Sequence, residues 1–581
     1  MDNNQEIIEQ VIAKAKTWLT PDYDAETQAE VQRMLDSEDK NELINSFYKD
    51  LEFGTGGLRG IMGAGSNRMN IYTVGAATQG LANYLNKVCK TTKGLSVIVG
   101  HDCRNNSRKF AKISAAIFSA NGIKVYLFEN LRPTPEVSFA IRHLGCQSGI
   151  ILTASHNPKE YNGYKAYWED GAQVLAPHDK GIIDEVNKIK VADIKFKGND
   201  ALIEIIGENV DKVFLDKVKT VSIAPDVIQR HHDMKIVYTP LHGTGITLIP
   251  RALKMWGFTH IIDVPEQDVI SGDFPTVKSP NPEEPAALSM AIERAKATDA
   301  ELVMASDPDA DRVGIACKND KGEWVLINGN QTCMMYLYYI LTQYKALGKI
   351  TGNEFCVKTI VTTELIKKIA DKNNIEMLDC YTGFKWIARE IRLLEGKKKY
   401  IGGGEESYGF LAEDFVRDKD AVSACCLIAE IAAWAKDNGK TLFQLLQDIY
   451  VEYGFSKEKG ISVVKPGRIG AEQIQQMMTN YRNNPPKEIA GSKVVLRKDF
   501  LTLKQTDANG KVSDLVMPET SNVLQYFTED GTKVSIRPSG TEPKIKFYIE
   551  VKGEMECRHC YDGANAEAED KIKDVTVSLG I

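Results

Sequence analysis

The feature that most limits what this chain can fold into is a recurrence. Three times, a short continuous apolar run leads into a helix-like stretch and then into further apolar runs, the last of which ends in a conspicuous loop. The first round is LSVIVGHDCR at 95–104, VYLFE at 125–129 and SGIILTASHNP at 148–158. The second is KIVYTPLHGTG at 235–245, IIDVPE at 261–266 and AELVMASDPDADR at 300–312. The third is EFCVKTIVTTE at 354–364, IEMLDCYTGFKWI at 375–387 and KYIGGGEESYG at 399–409. Apolar runs that do not alternate suit strands covered by helices on both faces. Such sheets carry their ligand loops at the strand C-termini. The fold class expected is therefore α/β, with three successive mixed α/β domains over 51–215, 216–330 and 331–455.

Past Gly454 the pattern changes. A helix-like AEQIQQMMTNYR precedes the short strand candidates SKVVLRKD, NVLQYFTED, KVSIRP and KIKFYIEVK. These predict a C-terminal α+β domain with an antiparallel sheet over 456–581. Residues 1–50 read as helices packed on the first domain. A chain of 581 residues is too long for one core, which agrees with this division.

The balance of 72 basic against 79 acidic residues gives a net charge of −7. No excess of positive charge is available to neutralise a phosphate strand, so nucleic acid is not the expected partner. The first residues, MDNNQEIIEQVIAKAK, lack a signal-peptide core. The stretch 421–435, AVSACCLIAEIAAWA, is shorter than a membrane span and contains Ser423 and Glu430, so a buried helix is expected and a membrane partner is not. The eleven cysteines are odd in number and scattered, and Cys557-Arg-His-Cys560 has no second CxxC to complete a zinc site. They read as reduced thiols of a cytoplasmic protein, with a metal or redox role as the alternative.

Four loops carry chemistry. The strand ending at Leu152 presents Ser155 and His156, and Ser155 has three readings: a turn residue, a hydrolase nucleophile, or a hydroxyl that carries phosphate. A serine–histidine hydrolase dyad is not expected, because adjacent side chains rarely converge and no GxSxG elbow is present. Lys165, ten residues on, offers a cation or a proton-transfer group. The second loop places Asp307, Asp309 and Asp311 at alternating positions after an apolar run, a costly arrangement unless a cation neutralises it. All-oxygen ligands point to Mg²⁺. An EF-hand is excluded, since Arg312 stands where glycine and Lys318 where glutamate would be required. Two other readings are a solvated acidic turn and the DxD of haloacid-dehalogenase-type phosphatases, although Ala310 fits the latter only in part.

The third loop, GGGEESYG at 402–409, does not match GxGxxG, and Glu405 with Ser407 suits a polyol. The alternative is a glycine turn before a helix. The fourth, RPSGTEPKIK at 537–546, sets an arginine fork, two hydroxyls and glycine-exposed amides within five residues, with lysines beyond. That composition suits a phosphate clamp, against a plain turn between strands. Together the four make the parts of a phosphoryl-transfer machine: acceptor hydroxyl, divalent metal, sugar ligands and distal anion clamp.

TASHNP, DPDADR, GEESYG and RPSGTEPK, in this order and at these spacings, resemble the α-D-phosphohexomutase superfamily. FGTGGLRG at 53–60, TPLHGTG at 239–245, TGFKW at 382–386 and RDKD at 417–420 extend the resemblance over nearly the whole chain. The first and third of these are most similar to the branch holding long bacterial phosphoglucomutases and animal phosphopentomutase-like enzymes. The resemblance implies four domains around a central cleft, the fourth closing over the substrate.

It implies that Ser155 is a phosphoserine, and that Asp307, Asp309, Asp311 and a Ser155 phosphate oxygen bind one Mg²⁺. Glu405 and Ser407 would hold the sugar, with Thr382 and Gly383 of TGFKW nearby. Arg537, Ser539, Gly540, Thr541 and Lys546 would clamp the phosphate not being transferred. Arg59 and Arg312 would stabilise charge near the serine, with His156 ordering the phosphate there. Lys165 is the expected general base. Some relatives carry a histidine just past the sugar loop, where this chain has Gly409, and Lys419 of RDKD is the expected substitute.

The implied activity is that of an isomerase interconverting glucose 1- and 6-phosphates through a bound 1,6-bisphosphate, with glucose 1,6-bisphosphate as primer. Phosphopentomutase, phosphomannomutase and bisphosphate synthase are alternatives on the same frame. A DxD phosphatase and a non-catalytic sugar-phosphate sensor are alternatives of another class. Sugar phosphates are the expected partners of a cytoplasmic monomer or dimer.

Overall fold

The computed structural model describes residues 3–54, 56–92, 94–465, 467–539 and 544–581, with side chains described from residue 6 and again from residue 470 after the gap at 466. Each recurrent unit builds one sheet. In the first, the parallel strands Ser148–Leu152, Ser96–His101, Lys124–Phe128 and Ile203–Ile206 lie side by side. Tyr161–Trp168 and Gly57–Ile61 extend that sheet antiparallel beyond Ser148–Leu152. All five residues of Ser148–Leu152 are buried, as the unbroken apolar run requires.

The second sheet runs Trp324–Ile327, Val313–Lys318, Leu302–Ser306, Ile236–Thr239, Ile261–Ile262. The third runs Glu376–Cys380, Glu354–Thr359, Lys399–Glu405, Gly409–Leu411. In both, the ligand loop follows a central strand, so the loops of the three units converge. The C-terminal sheet is antiparallel along the order Phe455–Val464, Lys544–Gly553, Lys533–Pro538, Leu524–Thr528, Ser492–Asp499, Lys504–Asp507, Val512–Asp514. The helix Tyr561–Leu579 covers it, burying Ala564, Ala568, Ile572, Val575 and Leu579 at helical spacing.

The N-terminal helices Asn3–Lys16, Ala25–Asp36 and Asn41–Phe47 pack on the first α/β unit. Trp18 lies edge-on to Phe47 and to Tyr72 of the helix Ile71–Val88, and the Tyr72 hydroxyl donates to Asp24 Oδ2 at 2.7 Å.

Three features depart from the sequence reading or complete it. Tyr161–Trp168, where only Lys165 was expected to matter and no strand was expected, is a strand buried from Asn162 onward. Glu430, within the apolar helix Ala421–Asp437, is fully buried because its carboxylate is satisfied there, accepting the amides of Ile223 and Ala224, just before the helix Pro225–Arg230, and the Tyr339 hydroxyl. Cys557 and Cys560 are not free thiols but form a disulfide, and the other nine cysteines are free. No described helix is long and apolar enough to cross a membrane.

Candidate active site

Ser155 sits three residues past a central strand, in left-handed backbone with φ 51°, and its amide donates to Thr153 Oγ1. The turn is held from outside. Buried Arg104 donates to the carbonyl oxygens of Ser155 at 2.6 Å, Pro158 at 2.9 Å and Tyr161 at 3.0 Å, and also to that of Asn157. Its own charge is met by Asp102 at 3.4 Å. Arg104 stands three residues past the strand Ser96–His101, and its only signal in the sequence is a charged residue close after a buried strand.

The serine hydroxyl faces the second unit. Ser155 Oγ donates to Asp307 Oδ2 at 2.6 Å, across 152 residues of sequence. Asp307 Oδ1 accepts the amides of Asp311 and Arg312. Carboxylate oxygens of Asp307, Asp309 and Asp311 all lie within 4.8 Å of one another, and the three side chains are buried. Asp309 Oδ2 accepts from Thr134 Oγ1 at 2.8 Å and from Lys165 Nζ at 2.7 Å. Lys165 also reaches Asp311 Oδ2 at 3.1 Å, and Lys419 reaches the same oxygen at 3.2 Å.

Burial drives the Asp307 carboxyl well above its usual range, helped by the charges of Asp309 and Asp311. Burial would raise Asp309 as well, but the Lys165 charge and hydrogen bonds outweigh it and hold that carboxyl low. Lys165 and Lys419 are both raised, since the carboxylates more than offset the burial that opposes their charge.

This cluster fits a hard divalent cation. Asp309 Oδ1 and Asp311 Oδ1 are buried without a hydrogen-bond partner, a costly state for carboxylate oxygens that a cation would relieve. Asp307, Asp309 and Asp311 would hold it, in the place where two lysines now supply the neutralising charge.

The adjacent Ser155 and His156 side chains do converge, against expectation, with Oγ and Nδ1 3.2 Å apart. They form no hydrolase dyad, because the shorter bond of the hydroxyl goes to Asp307. Burial, then the charges of Arg312 and Arg59, press the His156 imidazole well below its usual pKa, so it is neutral near pH 7. Arg59 reaches Asn157 Oδ1 at 3.3 Å from the strand Gly57–Ile61. That strand approaches closely because Gly57 lacks a Cβ, which at its φ of 126° would lie 1.6 Å from the Tyr164 carbonyl oxygen. Arg312 is paired with Glu283 at 2.9 Å.

From the third unit, Glu405 Oε1 accepts the Gly383 amide at 2.7 Å, joining the GEESYG and TGFKW loops. Lys419 fills the space beside Gly409, where a Cβ would lie 2.2 Å from Lys419 Cδ. Any side chain at 409 would compete with this lysine for the position. Asp418 steadies Lys419 at 3.2 Å and accepts from Tyr167 at 2.7 Å and Gln173 at 3.1 Å.

The C-terminal domain contributes Arg537 and Lys546, opposite each other in register on Lys533–Pro538 and Lys544–Gly553. The Ser539 amide donates to the Lys544 carbonyl at 2.8 Å. Gly540 and Thr541 lie outside the described residues. One cleft of about 450 Å³ gathers Ser155, His156, Lys165, Arg59, Arg312, Thr382, Gly383, Glu405, Ser407, Lys419, Arg537 and Lys546, with buried Asp311 also in its lining. Thr134, Arg104 and Asp418 are the residues that sequence reasoning missed.

Family comparisons agree with this layout. The phosphoglucomutase/phosphomannomutase alpha/beta/alpha domains I, II and III match residues 50–193, 212–322 and 328–453, and the C-terminal domain matches 482–562. A phosphoglucomutase of Staphylococcus haemolyticus is 36% identical over 508 residues, covering 87% of this chain and 91% of its own. One of Staphylococcus epidermidis is 37% identical over 525 residues, covering 89% and 92%. Among solved structures, the open form of parafusin from Paramecium superposes with a TM-score of 0.66 at 19% identity, covering 92% of this chain and 96% of its own. A phosphoglucomutase/phosphomannomutase family protein of Burkholderia thailandensis gives 0.63 at 18% identity, covering 91% and 97%, and both likenesses speak to the fold alone. With all four domains matched in order, the chain belongs to the phosphoglucomutase/phosphomannomutase family, isomerases of the α-D-phosphohexomutase superfamily.

Proposed function

We propose that the chain is a phosphoglucomutase that interconverts glucose 1-phosphate and glucose 6-phosphate through a phosphate carried on Ser155. The observation that carries this reading is the Ser155 hydroxyl, 2.6 Å from Asp307, in one cleft with Arg537 and Lys546 of the C-terminal domain. A hexose with a phosphate at each end needs two anion sites with polyol ligands between them, and Glu405 and Ser407 line the same cleft.

In the forward half-cycle, a free sugar hydroxyl attacks the phosphorus on Ser155. The P–Oγ bond breaks as the new P–O bond forms, leaving a bound glucose 1,6-bisphosphate. Arg59 and Arg312 offset charge on the transferring group, while neutral His156 orders its oxygens. The bisphosphate then presents its other phosphate to Ser155, and the reverse transfer regenerates the phosphoenzyme. Arg537, Ser539 and Lys546, with Gly540 and Thr541, hold whichever phosphate is not moving.

Lys165 and Lys419 are the proton carriers of the two half-reactions, and Asp418 positions the latter. Mg²⁺, one per chain and held by Asp307, Asp309, Asp311 and a Ser155 phosphate oxygen, would supply Lewis-acid stabilisation of the phosphoryl charge. Glucose 1,6-bisphosphate would act as primer for any serine that has lost its phosphate. A cytoplasmic setting and a monomeric or dimeric state belong to the same proposal.

The DxD phosphatase alternative has less support. The Ser155 hydroxyl lies against Asp307 Oδ2 at 2.6 Å, and that mechanism gives the serine no role. The test is ³¹P NMR of the purified protein with glucose 1-phosphate, Mg²⁺ and a trace of glucose 1,6-bisphosphate. Glucose 6-phosphate without inorganic phosphate is the expected product. Inorganic phosphate would favour the phosphatase, and turnover only of ribose 1-phosphate or mannose 1-phosphate would move the activity to another sugar.

A further inference from the structure

One sequence motif plays no part in the mechanism above: the pair Cys557 and Cys560. Among the eleven cysteines, seven of the free ones are buried, and Cys557 is exposed. The pair is bridged, with its Cα atoms 5.4 Å apart, over a three-residue step in sequence. So short a ring removes little loop-closure entropy from the unfolded chain, which argues against a mainly stabilising role. Exposed, short-ring disulfides are the labile ones that exchange with external thiols.

What the bridged turn holds is specific. Arg558, inside it, donates from Nε and one terminal nitrogen to the two Asp448 oxygens at 2.5 and 2.7 Å. Asp448 lies on the helix Leu442–Tyr453 of the third unit and is also reached by Lys440 at 2.6 Å. The turn runs directly into the helix Tyr561–Leu579, which packs on Phe455–Val464 and Lys544–Gly553. The second of those strands carries Lys546 to the cleft. A cavity of about 410 Å³ beside Arg558 and His559 gives the turn room to rearrange.

We propose that Cys557 and Cys560 form a reversible redox site for a dithiol reductant, and that its state sets how firmly Arg558 clasps the C-terminal domain to the third unit. An attacking thiolate of the reductant bonds to Cys557 Sγ, and the Cys557–Cys560 bond breaks with its electron pair on Cys560. Cys560 directly precedes the helix Tyr561–Leu579, whose N-terminal dipole favours that thiolate as the leaving group. The second thiol of the reductant then displaces Cys557 and leaves as a disulfide. Two electrons and two protons pass to the chain.

The test uses the full-length protein equilibrated with graded ratios of reduced and oxidised dithiothreitol, then alkylated without denaturant and digested for mass spectrometry. The peptide holding both cysteines is expected to pass reversibly from bridged to doubly alkylated in one two-electron step, while the buried cysteines stay unlabelled. Amide hydrogen exchange on the same samples should rise several-fold over 440–450 and 556–565 in the reduced form. Cys557→Ser combined with Cys560→Ser should match the reduced form at every ratio. A pair alkylated at all ratios, or reduced only when buried thiols also label, would overturn the redox site. Equal exchange in the two forms would overturn its coupling to the Arg558 clasp. Neither readout involves turnover, so failure here is distinct from failure of the mutase reading.

Discussion

Thr134 offers the sharpest test of how the aspartate cluster is built. It comes from the first α/β unit, 175 residues before Asp309, and touches it twice: the amide donates to the Asp309 carbonyl at 2.8 Å and the hydroxyl to Oδ2 at 2.8 Å. With Oδ2 fixed by Thr134 and Lys165, Oδ1 is left buried and partnerless, available to a cation. Thr134→Val keeps the shape and the amide contact and deletes only the hydroxyl. A hydrogen bond to a charged acceptor contributes about 1.5–3 kcal/mol. Partners that orient a metal-ligating carboxylate typically govern about 10–100-fold in metal affinity. Thr134→Val should therefore weaken Mg²⁺ binding by about 10- to 100-fold, read by calorimetric titration after a melting curve has shown the fold intact. Thr134→Ser should restore most of the loss. An affinity within about twofold of the parent, from a folded Thr134→Val protein, would refute the claim that this hydroxyl orients Asp309.

Three further outcomes follow from other parts of the molecule. Arg537→Ala should raise KM for the sugar monophosphate about tenfold or more in steady-state kinetics with the melting curve unchanged, since a charge-assisted fork is lost. Glu430→Ala leaves two half-buried amides and the buried Tyr339 hydroxyl without their acceptor, and denaturant unfolding should register a loss of about 1–3 kcal/mol. Glu364 bridges Lys358 of its own unit at 3.0 Å and Lys533 of the C-terminal domain at 2.6 Å. Burial opposes its charge, but the two lysines prevail and its folded pKa lies below the ordinary value. Its contribution to stability is thus full above the unfolded pKa of about 4.3 and fades as the pH falls through the lower folded value. Glu364→Gln should flatten the acid limb of a stability–pH curve, and an unchanged limb would remove this bridge from the account.

Much of this architecture could be read from the chain because its central strands are fully buried, and burial on both faces writes itself as unbroken apolar runs. The four ligand loops were visible for the complementary reason: polar, glycine-rich sequence directly after such runs has no core to serve. Tyr161–Trp168 escaped because its polarity is put to use. Lys165 is carried into the aspartate cluster, and Asn162 donates to the Asn105 carbonyl and to Ser107, so a buried strand reads as a loop. Thr134, Arg104 and Asp418 escaped because their partners lie far away in sequence or are backbone carbonyls, which leave no periodic trace. Lys419 was reached by resemblance alone, and the packing beside Gly409 supplies its physical reason.

The central claim is that Ser155 carries the transferred phosphate. It is tested most directly by charging the protein with ³²P-labelled glucose 1,6-bisphosphate, removing free sugar, and chasing with unlabelled glucose 1-phosphate in a rapid-quench apparatus. The account predicts that label maps to the Ser155 peptide before the chase and moves to sugar phosphate at least as fast as steady-state turnover. Label on Asp307, label released as inorganic phosphate, or transfer slower than turnover would contradict it.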